Sequence, residues 1–79
     1  MEEQTYGEKA VGLTFNPSND PTVQKVKELY AQIIDLCSDL RTPPGGTEPW
    51  SSERNRLASI AITEAQTAQM WAVKAITWK

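Results

Sequence analysis

The chain has 79 residues, a formal net charge of -2, one cysteine and no histidine. A chain of this length forms one small domain that buries barely enough apolar surface to fold alone, and a single cysteine excludes an intrachain disulfide framework. Without histidine or a second cysteine there is no zinc-type ligand set, so we expect no metal and no other cofactor. Association between copies of the chain is the remaining source of stability.

The eight lysines and arginines are spread along the chain, which argues against a basic face for DNA or RNA polymers. The N-terminus lacks the basic and apolar regions of a signal peptide, and the longest unbroken apolar run is Met70–Val73, so we expect no membrane span. These features predict a cytoplasmic protein. Binding of a small anionic ligand is still compatible with this charge distribution, because such a site needs only two or three cations gathered at one point.

The first half of the chain predicts an arm and one helix. Residues 1–19 carry two glycines and a Pro-Ser-Asn run, which predicts an irregular arm with about one helical turn near its start. Asp20 is a good N-cap and Pro21 suits the first helical position, so we predict a helix over 20–40. Its apolar residues recur every three or four positions and predict one heptad-like seam, widened by Leu29, Ile34 and Leu36: Val23, Val26, Tyr30, Ile33, Cys37 and Leu40.

The second half predicts a connector and a longer helix. Residues 41–50 contain two successive prolines and two successive glycines, which cannot continue a helix. Ser51 or Ser52 can cap the next helix, which we predict over 51–78. The expected fold is therefore all-α: one domain, an antiparallel two-helix hairpin preceded by an arm.

The second helix is apolar on two sides. One stripe contains Leu57, Ala61, Ala68, Trp71, Ala75 and Trp78, and a second contains Ile62, Met70, Val73 and Ile76. One other helix cannot cover both, so we predict a homo-oligomer with Ala68, Met70, Trp71 and Trp78 in its interface. Lys74 lies between Trp71 and Trp78 at helical spacing, which permits a cation–π contact, although ordinary packing is the favoured interpretation.

Catalysis has little support. The sequence contains no histidine, no nucleophile paired with a base and no glycine-rich phosphate loop after a strand. We therefore predict that the protein is not an enzyme.

Ligand binding has more support, in the arm. Phe15 and Asn16 lie on irregular backbone just before a helix N-terminus, where amides and the helix dipole attract anions, and Lys25 and Lys27 follow in the first turns. The alternative is that Phe15 fills the hairpin core and the lysines are solvated.

Arg54 and Arg56, at the start of the second helix, are either ligand-binding residues or ordinary surface arginines. Cations there oppose the helix dipole, which slightly favours an anionic partner over ordinary surface arginines.

Two segments of the chain carry a family resemblance: VGLTFNPSNDPTVQKVKELYAQIIDL and RLASIAITEAQTAQMWAVKAITWK. They resemble the small phage proteins that act as cyclic-nucleotide sponges against the bacterial CBASS defence, whose hairpin domain is shared with Thoeris-inhibiting sponges. The similarity covers roughly residues 11–79. Its most specific parts are FNPS, before the first helix, and AITEAQTAQMWAVKAIT.

The resemblance implies a compact homo-oligomer, typically a hexamer, whose pockets between protomers hold cyclic di- and trinucleotides without degrading them. In that family an N-terminal aromatic residue stacks on a base and a lysine near the first helix meets phosphate. The positions that best fit these roles are Phe15, or else Tyr6, and Lys27, or else Lys25.

The resemblance also implies a separate cyclic-trinucleotide pocket served by an arginine at the start of the second helix. Arg56 is the first choice for this role and Arg54 the second. The alternatives to a cyclic-nucleotide sponge are a structural or adaptor oligomer without a small-molecule ligand, a sponge for ADP-ribose-type Thoeris signals, and, third, an enzyme that hydrolyses the messenger.

Overall fold

A computed structural model of the chain describes residues 3–41 and 52–79. These residues form three α-helices and no strand: α1 (Tyr6–Val11), α2 (Pro21–Asp39) and α3 (Ser52–Thr77). The prediction of an all-α chain is thus confirmed for the described ranges. Apart from Arg41, the predicted connector over 41–50 lies outside them, and so does the capping role suggested for Ser51.

The arm is more ordered than the sequence predicts, because its expected helical turn is the six-residue helix α1. The Thr5 hydroxyl accepts a hydrogen bond from the Glu8 amide at 3.1 Å, and the Glu8 carboxylate accepts one from the Thr5 amide at 2.9 Å. This reciprocal pair is a capping box. Gly12 ends the helix with φ of 63°, a left-handed conformation that favours glycine.

Gly7 allows α1 to lie directly against the middle of α2. Its amide donates a hydrogen bond to Asp35 Oδ1 at 2.7 Å. A Cβ atom at this position would lie 2.1 Å from the carbonyl oxygen of Ala31, so no side chain fits without moving α1. The arm is therefore docked on the hairpin by a glycine that the sequence pattern alone did not single out.

Helix α2 begins as the sequence predicts. Asp20 is its N-cap, with the carboxylate accepting a hydrogen bond from the Thr22 amide at 2.7 Å, and Pro21 occupies the first turn. Leu40 is the C-cap residue.

The buried face of α2 differs from the predicted seam. It consists of Val23, Lys27, Ala31 and Ile34. Of the predicted seam, Val23 is therefore buried, three members are half-buried (Val26, Tyr30 and Cys37), and Ile33 and Leu40 are about half exposed. A heptad seam assumes one partner helix, but α2 packs against both α1 and α3. The line of greatest burial therefore runs between the two contacts. The core contains Val11, Ala31, Ile34 and Ile62, with the half-buried Cys37 packed against it.

Among residues 3–41 and 52–79, the two apolar sides of α3 differ in burial. Ala58 and Ile62 are buried, and Val73 and Ile76 are half-buried. In contrast, every member of the first predicted stripe is exposed: Leu57, Ala61, Ala68, Trp71, Ala75 and Trp78. We call this set the exposed α3 stripe.

Lys74 lies on α3 beside two indole rings. Its Nζ atom is 5.3 Å from the ring centre of Trp71 and 5.7 Å from that of Trp78, so the cation–π contact that the spacing permits is present. Within the described ranges, none of the helices combines the length and apolarity needed to cross a lipid bilayer.

Candidate functional site

A broad cleft of about 950 Å³ lies between the arm, the start of α2 and the C-terminal half of α3. We call it the arm cleft. Its first wall includes Lys9, Gly12, Phe15, Asn16 and Lys27. Its second wall, on α3, includes Thr63, Gln66, Thr67, Gln69 and Met70. The volume is in the range of small-molecule binding sites.

Phe15 stands at this cleft with its side chain open to solvent. The residue is 70% exposed, so the alternative that it fills the hairpin core is wrong. An exposed aromatic face beside a cleft can stack on a planar base. The loop that carries Phe15 is fixed by a hydrogen bond from its own amide to the Gly12 carbonyl at 2.9 Å.

Lys27 is buried, which corrects the alternative that it is a solvated surface lysine. It is only 5% exposed, and its ammonium donates hydrogen bonds to the carbonyl oxygens of Gly12, at 3.0 Å, and Phe15. The same Nζ atom lies 5.6 Å from the centre of the Phe15 ring. An ammonium has three donors, so one remains beyond these two carbonyls. Lys27 therefore organises the wall of the cleft that carries Phe15.

The two lysines that the sequence could not separate have different surroundings. Lys25 is exposed and is not part of the cleft wall, whereas Lys27 is. Lys9, in the last turn of α1, is also exposed and lines the cleft. Sequence reasoning missed Lys9, because no local pattern indicates that the last turn of α1 comes to lie beside the Phe15 loop.

Asn16 shapes the backbone that precedes α2. Its Nδ2 donates to the carbonyl of Asp20 at 3.2 Å, and its Oδ1 accepts from the Ser18 hydroxyl at 2.9 Å. The residue lines the cleft as expected of a site residue, but its amide is engaged on both sides by the loop itself.

The α3 wall of the arm cleft is polar, and sequence reasoning missed most of it. Thr67 donates its hydroxyl to the Thr63 carbonyl at 3.1 Å, as helical threonines commonly do. Gln66 is half-buried and Gln69 is only 5% exposed. The signal was available, since Gln66 and Gln69 share the helical face of Ile62 and Val73, which are apolar. Met70, expected in a subunit interface, is 61% exposed and lies on this cleft.

A second, shallower cleft of about 580 Å³ lies where the end of α2 meets the start of α3. Its wall is formed by four apolar residues and two charged ones: Leu40, Leu57, Ala58 and Ala61, with Glu53 and Arg54. Arg54 Nε donates to the Leu40 carbonyl at 3.2 Å. Of the two predicted arginines, Arg54 therefore lines this cleft.

Arg56 is held by a neighbouring carboxylate instead. Its Nε and NH2 groups donate to the two oxygens of Glu53 at 3.0 and 2.6 Å, a bidentate pair within one helical turn. The guanidinium lowers the pKa of the Glu53 carboxyl below its ordinary value, and the carboxylate raises the pKa of Arg56. Both side chains are well exposed, so the pair contributes little to stability.

Tyr6, the alternative stacking residue, lies away from the arm cleft wall. Its ring is half exposed and lies 5.6 Å from the guanidinium carbon of Arg41. Arg41 in turn donates to the Ser59 hydroxyl at 3.3 Å. Tyr6 and Phe15 are therefore in separate places, which the sequence did not determine.

Among residues 3–41 and 52–79, no group of three or more acidic, cysteine or histidine side chains is arranged to hold a metal ion.

A helical hairpin with a broad, partly polar cleft beside an exposed aromatic ring has the architecture of a small-molecule binding domain. The chain matches the family model described as Acb2/Tad1, hairpin domain, over residues 8–77, and it belongs to that family. This is the anti-CBASS and anti-Thoeris sponge family, as the sequence resemblance predicts. Comparisons with curated proteins and with solved structures found no match.

Proposed function

We propose that this protein sequesters cyclic di- and trinucleotide second messengers in the host bacterial cytoplasm and releases them unchanged, so that CBASS signalling stops. Membership of a sponge family supports binding without catalysis. The observation that carries the proposal is Phe15: an aromatic ring 70% exposed at the edge of a cleft of about 950 Å³. Such a ring gains most from stacking on a ligand base, because its own chain does not cover it.

Two cations support phosphate binding in the same cleft. Lys9 is exposed and can reach a ligand without breaking another contact within the described chain. Lys27 is buried and has one ammonium donor beyond its two carbonyl partners. We propose that the Lys9 ammonium forms an ion pair with a ligand phosphate. Lys27 attracts the same phosphate through its positive charge and can donate its remaining N–H to it. Lys25 has no role in this arrangement.

The exposed α3 stripe supports the homo-oligomer. Trp71 and Trp78 are 64% and 72% exposed, which is a large apolar surface for an 8.8 kDa chain to leave in water. We propose that this stripe packs against other copies of the chain, with Ala68 allowing close approach. A hexamer is the assembly that the family resemblance implies. We propose that Met70, which is 61% exposed on the arm cleft, contacts the neighbouring protomer there.

We propose the second cleft for cyclic trinucleotides. Arg54 lies on its wall. In contrast, the Nε and Nη2 groups of Arg56 donate hydrogen bonds to the Glu53 carboxylate. This reverses the order of preference that the resemblance implies. The Glu53 pair is exposed, and exchange of its carboxylate for a ligand phosphate would cost little.

An adaptor oligomer is the candidate from another class, and the exposed α3 stripe favours it equally. An ADP-ribose-type signal is a further candidate for the arm cleft, since it also combines a base with phosphates. The arm cleft distinguishes the adaptor from the sponge. An adaptor that binds no small molecule does not require an exposed Phe15 ring beside a cleft.

Isothermal titration with a panel of cyclic di- and trinucleotides and an ADP-ribose-type ligand tests the proposal. Phe15→Ala and Lys9→Ala should each weaken cyclic-dinucleotide binding by about 1–3 kcal/mol, through loss of a base stack and of a charge-assisted contact. Lys25→Ala is the matched control, because it removes an equally exposed charge outside the cleft wall. An adaptor would take up none of the ligands.

A further inference from the structure

Gln69 is the buried polar residue of the arm cleft that the proposed function does not yet use. It is 5% exposed, and its remaining surface forms part of the α3 wall. Within the described part of the chain, its side-chain amide makes no hydrogen bond. Among the described residues, Asn55 Oδ1 is the fully buried side-chain polar atom without a partner, so the Gln69 amide keeps some accessible surface. A largely buried amide that is unpartnered but still accessible is held in place to hydrogen-bond what enters the cleft.

The rest of the wall does not supply that partner. Thr67 directs its hydroxyl back to the Thr63 carbonyl on the same helix. Across the cleft, the Lys27 ammonium is turned to the carbonyls of Gly12 and Phe15. The Gln69 amide therefore offers both an N–H₂ donor and a carbonyl acceptor to a ligand.

We propose that Gln69 reads the edge of the base that stacks on Phe15, and that it makes the arm cleft prefer adenine over guanine. A glutamine amide pairs with the donor and acceptor that adenine presents side by side at N6 and N7. Guanine presents two acceptors at N7 and O6, which call for a cation such as arginine or lysine. This inference rests on the proposed function, since it assigns the specificity of the same cleft.

The test compares cyclic di-AMP with cyclic di-GMP, both with 3′–5′ linkages, by isothermal titration. The wild-type protein should bind cyclic di-AMP about ten-fold or more tightly, the discrimination expected of one bidentate amide–base pair. Gln69→Met, which keeps the side-chain length but removes both hydrogen-bonding groups, should weaken cyclic di-AMP by a similar factor and leave cyclic di-GMP unchanged. Gln32→Met, on the exposed surface of α2, is the matched control and should preserve the preference.

The melting temperature of the ligand-free protein separates recognition from a structural role. If Gln69 has no partner before the ligand arrives, Gln69→Met should melt at or above the wild-type temperature. A lower melting temperature together with an unchanged adenine preference would overturn the inference, and so would an equal loss of both ligands. If the wild-type protein bound no member of the panel, the proposed function itself would fail, whereas binding without adenine preference would overturn this inference alone.

Discussion

The ammonium of Lys27 lies 5.6 Å from the centre of the Phe15 ring and donates a hydrogen bond to the carbonyl oxygen of the same residue. One buried side chain thus contacts both the backbone and the ring of the proposed stacking residue. The position of the ring at the cleft is therefore coupled to the fold of α2, so that the site is largely formed before a ligand arrives.

Lys27→Met should destabilise the protein by about 1–3 kcal/mol, because the carbonyls of Gly12 and Phe15 lose their shared donor. It should also weaken cyclic-dinucleotide binding, since the Phe15 loop is no longer fixed. Urea unfolding and titration measure the two effects. Lys25→Met, an exposed neighbour on the same helix, should change stability by less than about 0.5 kcal/mol. Equal effects of the two substitutions would contradict the role given to Lys27.

Gly7→Ala should displace α1 from α2. The new methyl group would lie 2.1 Å from the Ala31 carbonyl oxygen, which belongs to the backbone and cannot turn aside. We expect a loss of about 1–3 kcal/mol in unfolding free energy, measured by urea denaturation, and loss of the arm cleft with it. Gln32→Ala on the exposed face of α2 should be nearly neutral. A Gly7→Ala protein of wild-type stability would mean that α1 does not dock as described.

Ala68→Glu should prevent assembly. Ala68 lies in the exposed α3 stripe, so the charge is tolerated in a single chain but would be buried between copies. Multi-angle light scattering should report a mass near 8.8 kDa for the variant and a multiple of it for the wild type. Thr22→Glu, which adds the same charge at the start of α2, should keep the wild-type mass. A wild-type protein that is a stable monomer at micromolar concentration would contradict the proposed oligomer.

Glu53 should titrate below its ordinary pKa of 4.5, because Arg56 donates to both carboxylate oxygens. A pKa lowered in the folded state means that the pair stabilises the protein above the unfolded pKa, and that this contribution is lost as the pH falls through the folded value. Carbon-13 NMR of the Glu53 carboxyl measures the midpoint. Arg56→Gln should return it to the ordinary value, and a midpoint unmoved by that substitution would show that the pair does not persist in solution.

Local signals in the sequence predicted the helices well. Asp20 and Pro21 marked the start of α2, and the two apolar sides of α3 separated into one that the chain covers and one that it exposes. Helix α1 was predicted only as a helical turn in an irregular arm, although Thr5 followed three residues later by Glu8 is a capping-box pattern.

The positions of the candidate site residues depend on long-range packing, which local sequence patterns do not reveal. The burial of Lys27 follows from the loop carbonyls that surround it, and the position of Lys9 follows from the docking of α1 through Gly7. Neither arrangement produces a periodic pattern in the sequence from which it could have been predicted. Phe15 and Tyr6 were both candidates for the stacking residue, since each is aromatic and lies in the arm. The tertiary structure distinguishes them, because Phe15 lines the arm cleft and Tyr6 lies beside Arg41.

Recovery of ligand from a loaded protein tests the central claim most directly. The wild-type protein is incubated with a cyclic dinucleotide, separated from unbound ligand and heated to denature it, and the released material is identified by chromatography and mass. A sponge removes the dinucleotide from solution and returns it intact. Absence of uptake across the panel, or the return of linear products, would contradict sequestration.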